Sequence, residues 1–487
     1  MLRVVPPEVF RTPINARQDS AMIDVAEVID QRPLSALQIL VLFLAGLTIV
    51  LDGLDIQAVA FAAPAIAADL GLQRASLGPI FSAGLVGMAL GSMLMGPVAD
   101  RYGRRFSVLL SVSAFGSFTF LTAFASNSAE LLAFRFLTGL GLGGALPSLV
   151  VLVGEYSPKR IRAICAGVVL AGVPIGGLVG GLLATWAIPR FGWPSVFLIG
   201  GGLPALMLPL LWLKLPESIR FLVGRGASGA ARVRGIMLRI DPEGDYGSGA
   251  VFVDAHPPAE ALSRGVPIGK LFGDGVARDT LLLWAAFFTN LMGIYFLVSW
   301  IPTLLVDAGY SIAKATSASV ALNSGGAFGL VGLGWIVNRF GIPVRYVIAA
   351  ALLIGSVHVA LVGMLATNLT LMLMAVFVAG IFVMGTQGQL FNLGSSLYPT
   401  EVRATGLGWA VGIGRIGSVL GPLVGGALIL IGLGIPVYFG FFGALLLLGA
   451  VAVLCMRREP KTALPGASCA DVQPERSVLI ARSKHRS

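Results

Sequence analysis

Asp52 and Asp55 stand three residues apart inside a long apolar run, so in a helix they share one face about one turn apart. A carboxylate at membrane depth is costly and faces a pathway or a partner. Two at this spacing resist joint ionisation, which suits one of them to taking up and releasing a proton. The competing reading is a structural salt bridge to another helix. Arg135 and Arg415 are the only basic residues well inside apolar runs, away from their ends. A guanidinium keeps its proton, so each needs an anion. Arg135 is open to two readings, a permanent partner for Asp52 or Asp55 and a ligand for a substrate carboxylate. Arg415 has no acid on its own run and is read as the carboxylate ligand.

Other chemistry is poorly served. Cys165, Cys455 and Cys469 form no disulfide framework, and His256, His358 and His485 are scattered without metal-ligand spacing. No metal site, organic cofactor or nucleophile–base set is expected, so the chain is not read as an enzyme. Phe288, Tyr295 and Trp300 on the seventh run, with Gln387 and Gln389 on the tenth, offer stacking faces and amides to an aromatic ring. Each equally suits ordinary packing or an interface anchor.

The elements that must hold these residues follow from composition. Of 487 residues 56% are apolar and 12% charged, against a soluble norm of about 25% charged. That leaves too few charges to cover a soluble surface, and too much apolar content for a disordered chain. The runs are unbroken rather than alternating, which argues against a β-barrel. They lie at about 36–67, 76–99, 106–125, 129–154, 163–188 and 195–215, then 280–308, 312–337, 344–366, 370–395, 404–431 and 436–456. The expectation is an all-α polytopic membrane protein with twelve transmembrane helices. Its parts are a tail at 1–35, a six-helix half at 36–215, a central loop at 216–278, a second half at 279–456, and a basic disordered tail at 457–487.

Only Arg74, Arg190 and Lys314 fall in loops on one side of this arrangement; apart from Arg135 and Arg415, every other Lys and Arg falls on the side of the termini. The positive-inside rule therefore puts both termini in the cytoplasm. The first 36 residues lack the pattern of a cleaved signal peptide and read as a cytoplasmic tail. The net charge of +10 is thus a topology signal, with the lipid bilayer rather than nucleic acid as its partner.

The halves echo each other. Gly96-Pro-Val-Ala-Asp100-Arg101-Tyr-Gly103-Arg104-Arg105 follows the second run, and Gly334-Trp-Ile-Val-Asn338-Arg339-Phe-Gly341 follows the eighth. Tyr156-Ser-Pro to Arg162-Ala after the fourth run is matched by Tyr398-Pro to Arg403-Ala after the tenth. Two parallel six-helix repeats suit a rocking, alternating-access transporter. Asp100 is expected either to cap the third helix or to pair across the halves as a gate. Glycines at four-residue spacing (Gly87/Gly91, Gly172/Gly176/Gly180, Gly325/Gly329, Gly417/Gly421/Gly425) are expected to mark the surfaces on which the halves slide.

These motifs resemble the major facilitator superfamily. Gly-x-x-x-Asp-Arg-x-Gly-Arg-Arg between the second and third runs is its signature, and Pro216-Glu217-Ser218 and Glu155 with Arg162 fit as well. Asp52-Gly53-Leu54-Asp55, the Arg135–Gly144 segment and Gly412-Ile-Gly-Arg415-Ile-Gly417 are similar to the aromatic acid/proton symporters within it. Asn338 departs from the pattern, standing where an acid is common. The resemblance implies the major facilitator fold and import of a small aromatic carboxylate by proton symport across the inner membrane. Protons are then the coupling ion and a monomer suffices. Proton coupling falls to Asp52, Asp55 and Glu155, substrate binding to Arg135 and Arg415, and gating to Gly96, Asp100, Arg101, Gly103, Arg104, Asn338 and Arg339. Rival readings are proton-coupled efflux of amphipathic compounds and a membrane sensor that moves nothing.

Overall fold

The computed structural model describes residues 22–247, 250–254, 268–273, 276–399 and 402–457. Among these, twelve helices are long and apolar enough to cross a membrane. They are α1 Ala36–Asp69, α2 Arg74–Tyr102, α3 Arg104–Thr122, α4 Ser128–Tyr156, α5 Arg162–Phe191, α6 Pro194–Lys214, α7 Ala277–Asp307, α8 Ile312–Phe340, α9 Val344–Met364, α10 Leu369–Leu397, α11 Thr405–Leu430 and α12 Ile435–Leu454. All twelve expected runs are helices, several extending past their apolar stretch into polar residues, as α8 does to Phe340. Side-chain caps set many of the starts. Ser35 and Gln38 form a reciprocal capping box at α1, and Asn127, Ser311 and Asn368 each accept a backbone N–H at α4, α8 and α10.

The repeat seen in sequence is repeated in packing. In the first half α1 packs on α5, α2 on α4, and α3 on α6; in the second, α7 packs on α11, α8 on α10, and α9 on α12. The four-residue glycine stripes make these contacts, which corrects the expectation that they are sliding surfaces. A Cβ on Gly87 would lie 2.1 Å from the Phe136 carbonyl oxygen of α4, and one on Gly176 would lie 2.1 Å from that of Val50 in α1. Gly325 meets Phe377 of α10, and Gly417 meets Phe288 of α7, in the same way. Backbones this close weld helices within a half. The halves meet instead through α1 on α7, α2 on α11, and α5 on α8.

The described polar bonds between the halves lie away from the termini. Gln57 and Asn323 exchange two hydrogen bonds of 2.8 Å, Ser82 donates to the Val419 carbonyl at 2.8 Å, and Arg74 pairs with Asp307 at 3.0 Å. Beyond these, the edge of Phe81 meets Trp300 with ring centres 5.3 Å apart. The molecule is closed on that side.

On the terminal side, the stretches expected as first tail and central loop carry short elements of their own. Met22–Asp24 pairs in parallel with Val251–Val253, and helices Val25–Gln31, Ile219–Gly224 and Ala227–Ile240 pack around Val25, Ile29, Leu222, Val233 and Met237. Ion pairs Arg32–Asp241 at 3.1 Å, Lys159–Asp30 at 3.2 Å and Arg220–Asp254 at 3.0 Å rim this layer. Of the tail expected to be disordered, 457–487, all but Arg457 lies outside the described residues, as do residues 1–21.

Candidate functional site

The two acids of α1 have different surroundings. Asp55 is fully buried and triply held: Thr119 of α3 donates to Oδ1 at 2.6 Å, and Arg135 of α4 reaches Oδ1 at 3.3 Å and Oδ2 at 3.4 Å. The same guanidinium also donates to the Asp55 backbone carbonyl at 3.2 Å. Desolvating both charges is costly, and the pair is made tolerable by two charge-assisted bonds between the partners, helped by the Thr119 hydroxyl and the Asp55 carbonyl. Asp52, 2% exposed, has an Oδ1 without a hydrogen-bond partner, and the Arg135 Nε–H likewise has none.

Arg415 of α11 crosses to the other half, where its Nη1 lies 2.8 Å from the Met88 sulfur of α2. It makes no ion pair among the described residues, although its charge acts on Asp52 and on Tyr295 of α7. A thioether is a weak acceptor, so this guanidinium retains its capacity for a carboxylate. Between the halves is a small cavity of about 20 Å³, walled by Phe81, Leu85, Met88, Arg135, Tyr295 and Ser299 among others. That is room for about one water and far below the size of a ligand pocket, so the halves must part further to admit a substrate.

The structure thus gathers Asp52, Asp55, Arg135, Arg415 and Tyr295, and it separates the rest. Glu155 lies 20 residues beyond Arg135 on α4, about 30 Å along the helix. There it accepts a 2.5 Å bond from Ser218. It braces the end of α4 against the central segment and is remote from the acid pair, which corrects its grouping with Asp52 and Asp55. Trp300 is wholly buried and donates to the Pro422 carbonyl at 3.0 Å, leaving no face for a substrate ring. Phe288 packs its backbone on Gly417, Gln387 accepts from Asn290 at 2.9 Å, and buried Gln389 has an unpartnered Oε1; none of the three lines the cavity.

The loop motif after α2 is a small machine of its own. Gly103, at φ +103°, turns the chain between α2 and α3, and the Glu217 carboxyl rests where its Cβ would be. Glu217 accepts from the Arg105 backbone N–H at 3.0 Å, placing negative charge at the start of α3. Asp100 pairs with Arg104 at 3.0 Å within its own loop, not across the halves, and Arg101 lies over the Tyr102 ring. Gly96 faces open space, and Asn338 and Arg339 are exposed. Gly341 ends α8 in the left-handed helical region, at φ +62° and ψ 21°, a positive-φ turn of a different shape from that of Gly103.

Three contributors were missed in the sequence. Thr119 was one polar residue among many in α3, and Ser299 sits in an otherwise apolar stretch. The Gln57–Asn323 pair joins helices 266 residues apart, a separation that no local pattern reveals.

The family model of the Major Facilitator Superfamily matches residues 45–420. A gallate transporter of Pseudomonas putida is 39% identical over 450 residues, covering 91% of this chain and 98% of that protein. A 4-hydroxybenzoate transporter of Acinetobacter baylyi, PcaK, is 38% identical, covering 84% and 88%. Among solved structures, the D-xylose-proton symporter superposes with a TM-score of 0.68 at 17% identity, over 87% of this chain and 99% of that one, a likeness of fold alone. The chain belongs to the major facilitator superfamily: it is a multi-pass membrane transporter, not an enzyme.

Proposed function

We propose that this superfamily member carries a small aromatic carboxylate into the cell together with protons, across the inner membrane and with both termini in the cytoplasm. The observation that carries the reading is the contrast between the two arginines. Arg135 is committed to Asp55, whereas Arg415, beside the cavity and within reach of the Asp52 charge, has only a thioether against it. The names of the relatives, transporters of gallate and of 4-hydroxybenzoate, support a ring acid as cargo.

Coupling follows from competition for one cation. Ionised Asp52 neutralises Arg415 and weakens its pull on an incoming carboxylate. A proton on Asp52 removes the competitor, so substrate anion and proton load together. With both aboard, the site is neutralised and the halves rock about the contacts of α1 with α7, α2 with α11, and α5 with α8. Asp55 and Arg135, fixed to each other and to Thr119, keep α1, α3 and α4 moving as one body.

The test is uptake of labelled 4-hydroxybenzoate and gallate into proteoliposomes at clamped voltage. An inward proton gradient should drive accumulation above equilibrium, and a sodium gradient should not. Full uptake on sodium alone at uniform pH would refute the coupling ion. Extrusion under the same proton gradient would turn the reading to efflux, and binding without movement would leave a sensor.

A further inference from the structure

Thr138 of α4 is wholly buried, and its hydroxyl has no hydrogen-bond partner among the described residues. Thr48, Thr122, Thr289, Thr316 and Thr386 settle the same atom within their own helices, each donating to the carbonyl four residues back. What Thr138 faces follows from the register of α4 against α1. Gln38 near the start of α1 donates to the Tyr156 carbonyl at the end of α4, and Arg135 near the start of α4 grips Asp55 further along α1. The two helices therefore run antiparallel. One turn from Arg135 toward the terminal side is Thr138, and one turn from Asp55 in the same direction is Asp52. The other faces of α4 are taken: Gly139 and Gly143 lie against the backbone of α2, while Gly141 and Ser148 meet α3. Thr138 is thus level with Asp52 on the face that α4 turns to α1, and the Asp52 Oδ1 is a buried atom without a donor.

A hydroxyl donates to a charged carboxylate and accepts from a protonated one, so it can follow an acid through both of its states. Arg135 cannot, because a guanidinium only donates and its two terminal nitrogens are held by Asp55. We propose that Thr138 is the positioning residue for the coupling proton, its hydroxyl turning to Asp52 and setting the pH at which that carboxyl loads. A helical threonine has two favoured side-chain settings, so the turn is a small one. The proposal rests on the proton-symport reading above and adds to it the residue that sets its pH dependence. Apart from Asp55 on its own helix, the titratable and charged side chains around Asp52 are Arg135 of α4, Tyr295 of α7 and Arg415 of α11. Those of α2, α3, α5 and α6 stand near the helix ends. Against that background a bond donated by Thr138 favours the charged form of Asp52, the form that neutralises Arg415. Without the hydroxyl, Asp52 holds its proton up to a higher pH and gives it up less readily.

The experiment measures initial uptake of labelled 4-hydroxybenzoate over a range of external pH, by full-length protein in proteoliposomes under one fixed pH difference and clamped voltage. Wild type should show a pH midpoint. Thr138→Val keeps nearly the same shape and removes a hydroxyl that has no partner, so folded yield should be normal. Its midpoint should move to higher pH by about half a unit, the size expected for one net hydrogen bond. Thr138→Ser restores the hydroxyl and should return the midpoint to that of wild type. In an Asp52→Asn background, Thr138→Val should leave substrate exchange unaltered, because the group it serves is gone. An unchanged midpoint in Thr138→Val overturns the proposal, and so does a fall in yield without a shift; both leave proton-driven transport standing. Uptake by wild type that is indifferent to pH defeats the underlying reading and this one with it.

Discussion

Arg135 grips Asp55 with both terminal nitrogens, at 3.3 and 3.4 Å, while Asp52, one turn earlier on the same helix, keeps a buried oxygen with no partner. Two carboxyls that are alike in sequence are thereby given different work. One is fixed in a closed ion pair, and the other is left exposed to a change of charge.

The asymmetry predicts different failures. Removing one partner of a buried pair leaves an uncompensated charge and costs about 3–5 kcal/mol, so Asp55→Asn should cut the yield of folded protein together with every mode of transport. Asp52→Asn removes no hydrogen bond from the described oxygen Oδ1 and should keep normal yield. Its gradient-driven accumulation should collapse, while substrate exchange without a gradient persists. Membrane expression, driven uptake and exchange on the two variants check this; equal loss of yield in both would show that Asp52 is structural too.

Arg415→Lys tests the second half of the site. Lysine keeps the positive charge near Asp52 and loses the two-pronged geometry that matches a carboxylate. Apparent affinity for the ring acid should fall about tenfold, equivalent to roughly 1.4 kcal/mol, with insertion and folding unchanged. Unchanged affinity by competition uptake would remove Arg415 from the binding site.

The twelve helices and their grouping into two halves were legible because apolar length and repeated loop motifs are local signals. The chemical identity of Asp52, Asp55, Arg135 and Arg415 was legible for a similar reason, since charge inside an apolar run stands out one residue at a time. Partnership was not. Whether Arg135 belongs to Asp55 or to a substrate depends on where α4 lies against α1, and Glu155 looked like a member of the acid set until α4 placed it about 30 Å from Arg135. The glycine stripes were recognised as contact surfaces, but a four-residue spacing states only that a neighbour is close, not which half supplies it. The layer around Val25–Gln31 and Ala227–Ile240 escaped because its helices are short and weakly apolar, and their pairing spans more than 200 residues.

The turn after α2 yields a paired prediction. Alanine at Gly103 meets two obstacles, a φ of +103° and a Cβ 2.2 Å from the Glu217 carboxyl. The strain, about 1–3 kcal/mol, should loosen the Glu217 bond to the start of α3 and lower both thermal stability and uptake. Alanine at Gly96, in the same motif and with nothing within 4 Å, should be nearly silent. Thermal unfolding and uptake of the two variants decide it; a silent Gly103→Ala would show that the glycine is not needed for the turn.

Adjacent glycines of α5 give a sharper contrast, because Gly176 faces the backbone of a helix of its own half and Gly177 faces the Gln57–Asn323 bridge that joins the halves. A Cβ at Gly176 would lie 2.1 Å from the Val50 carbonyl and 2.7 Å from the Leu54 nitrogen, both backbone atoms that cannot turn aside. Gly176→Ala should therefore force α1 and α5 apart and reduce the yield of folded protein. A Cβ at Gly177 would instead lie 2.0 Å from the Gln57 Nε2 and 2.7 Å from the Asn323 Oδ1, the ends of two side chains that can swing away. Gly177→Ala should fold, but at the cost of the amide pair that helps to hold the side remote from the termini closed. Its population should shift toward the state open on that side. Ser82→Cys supplies a reporter, since Ser82 is 3% exposed and bonded across the halves to Val419 in the closed arrangement. Labelling of that cysteine by an impermeant maleimide from the remote face should be several-fold faster in the Gly177→Ala background, with expression near normal. Slow labelling there, or normal yield of Gly176→Ala, would mean that the two faces of α5 do not divide between holding a half together and closing the gap between halves.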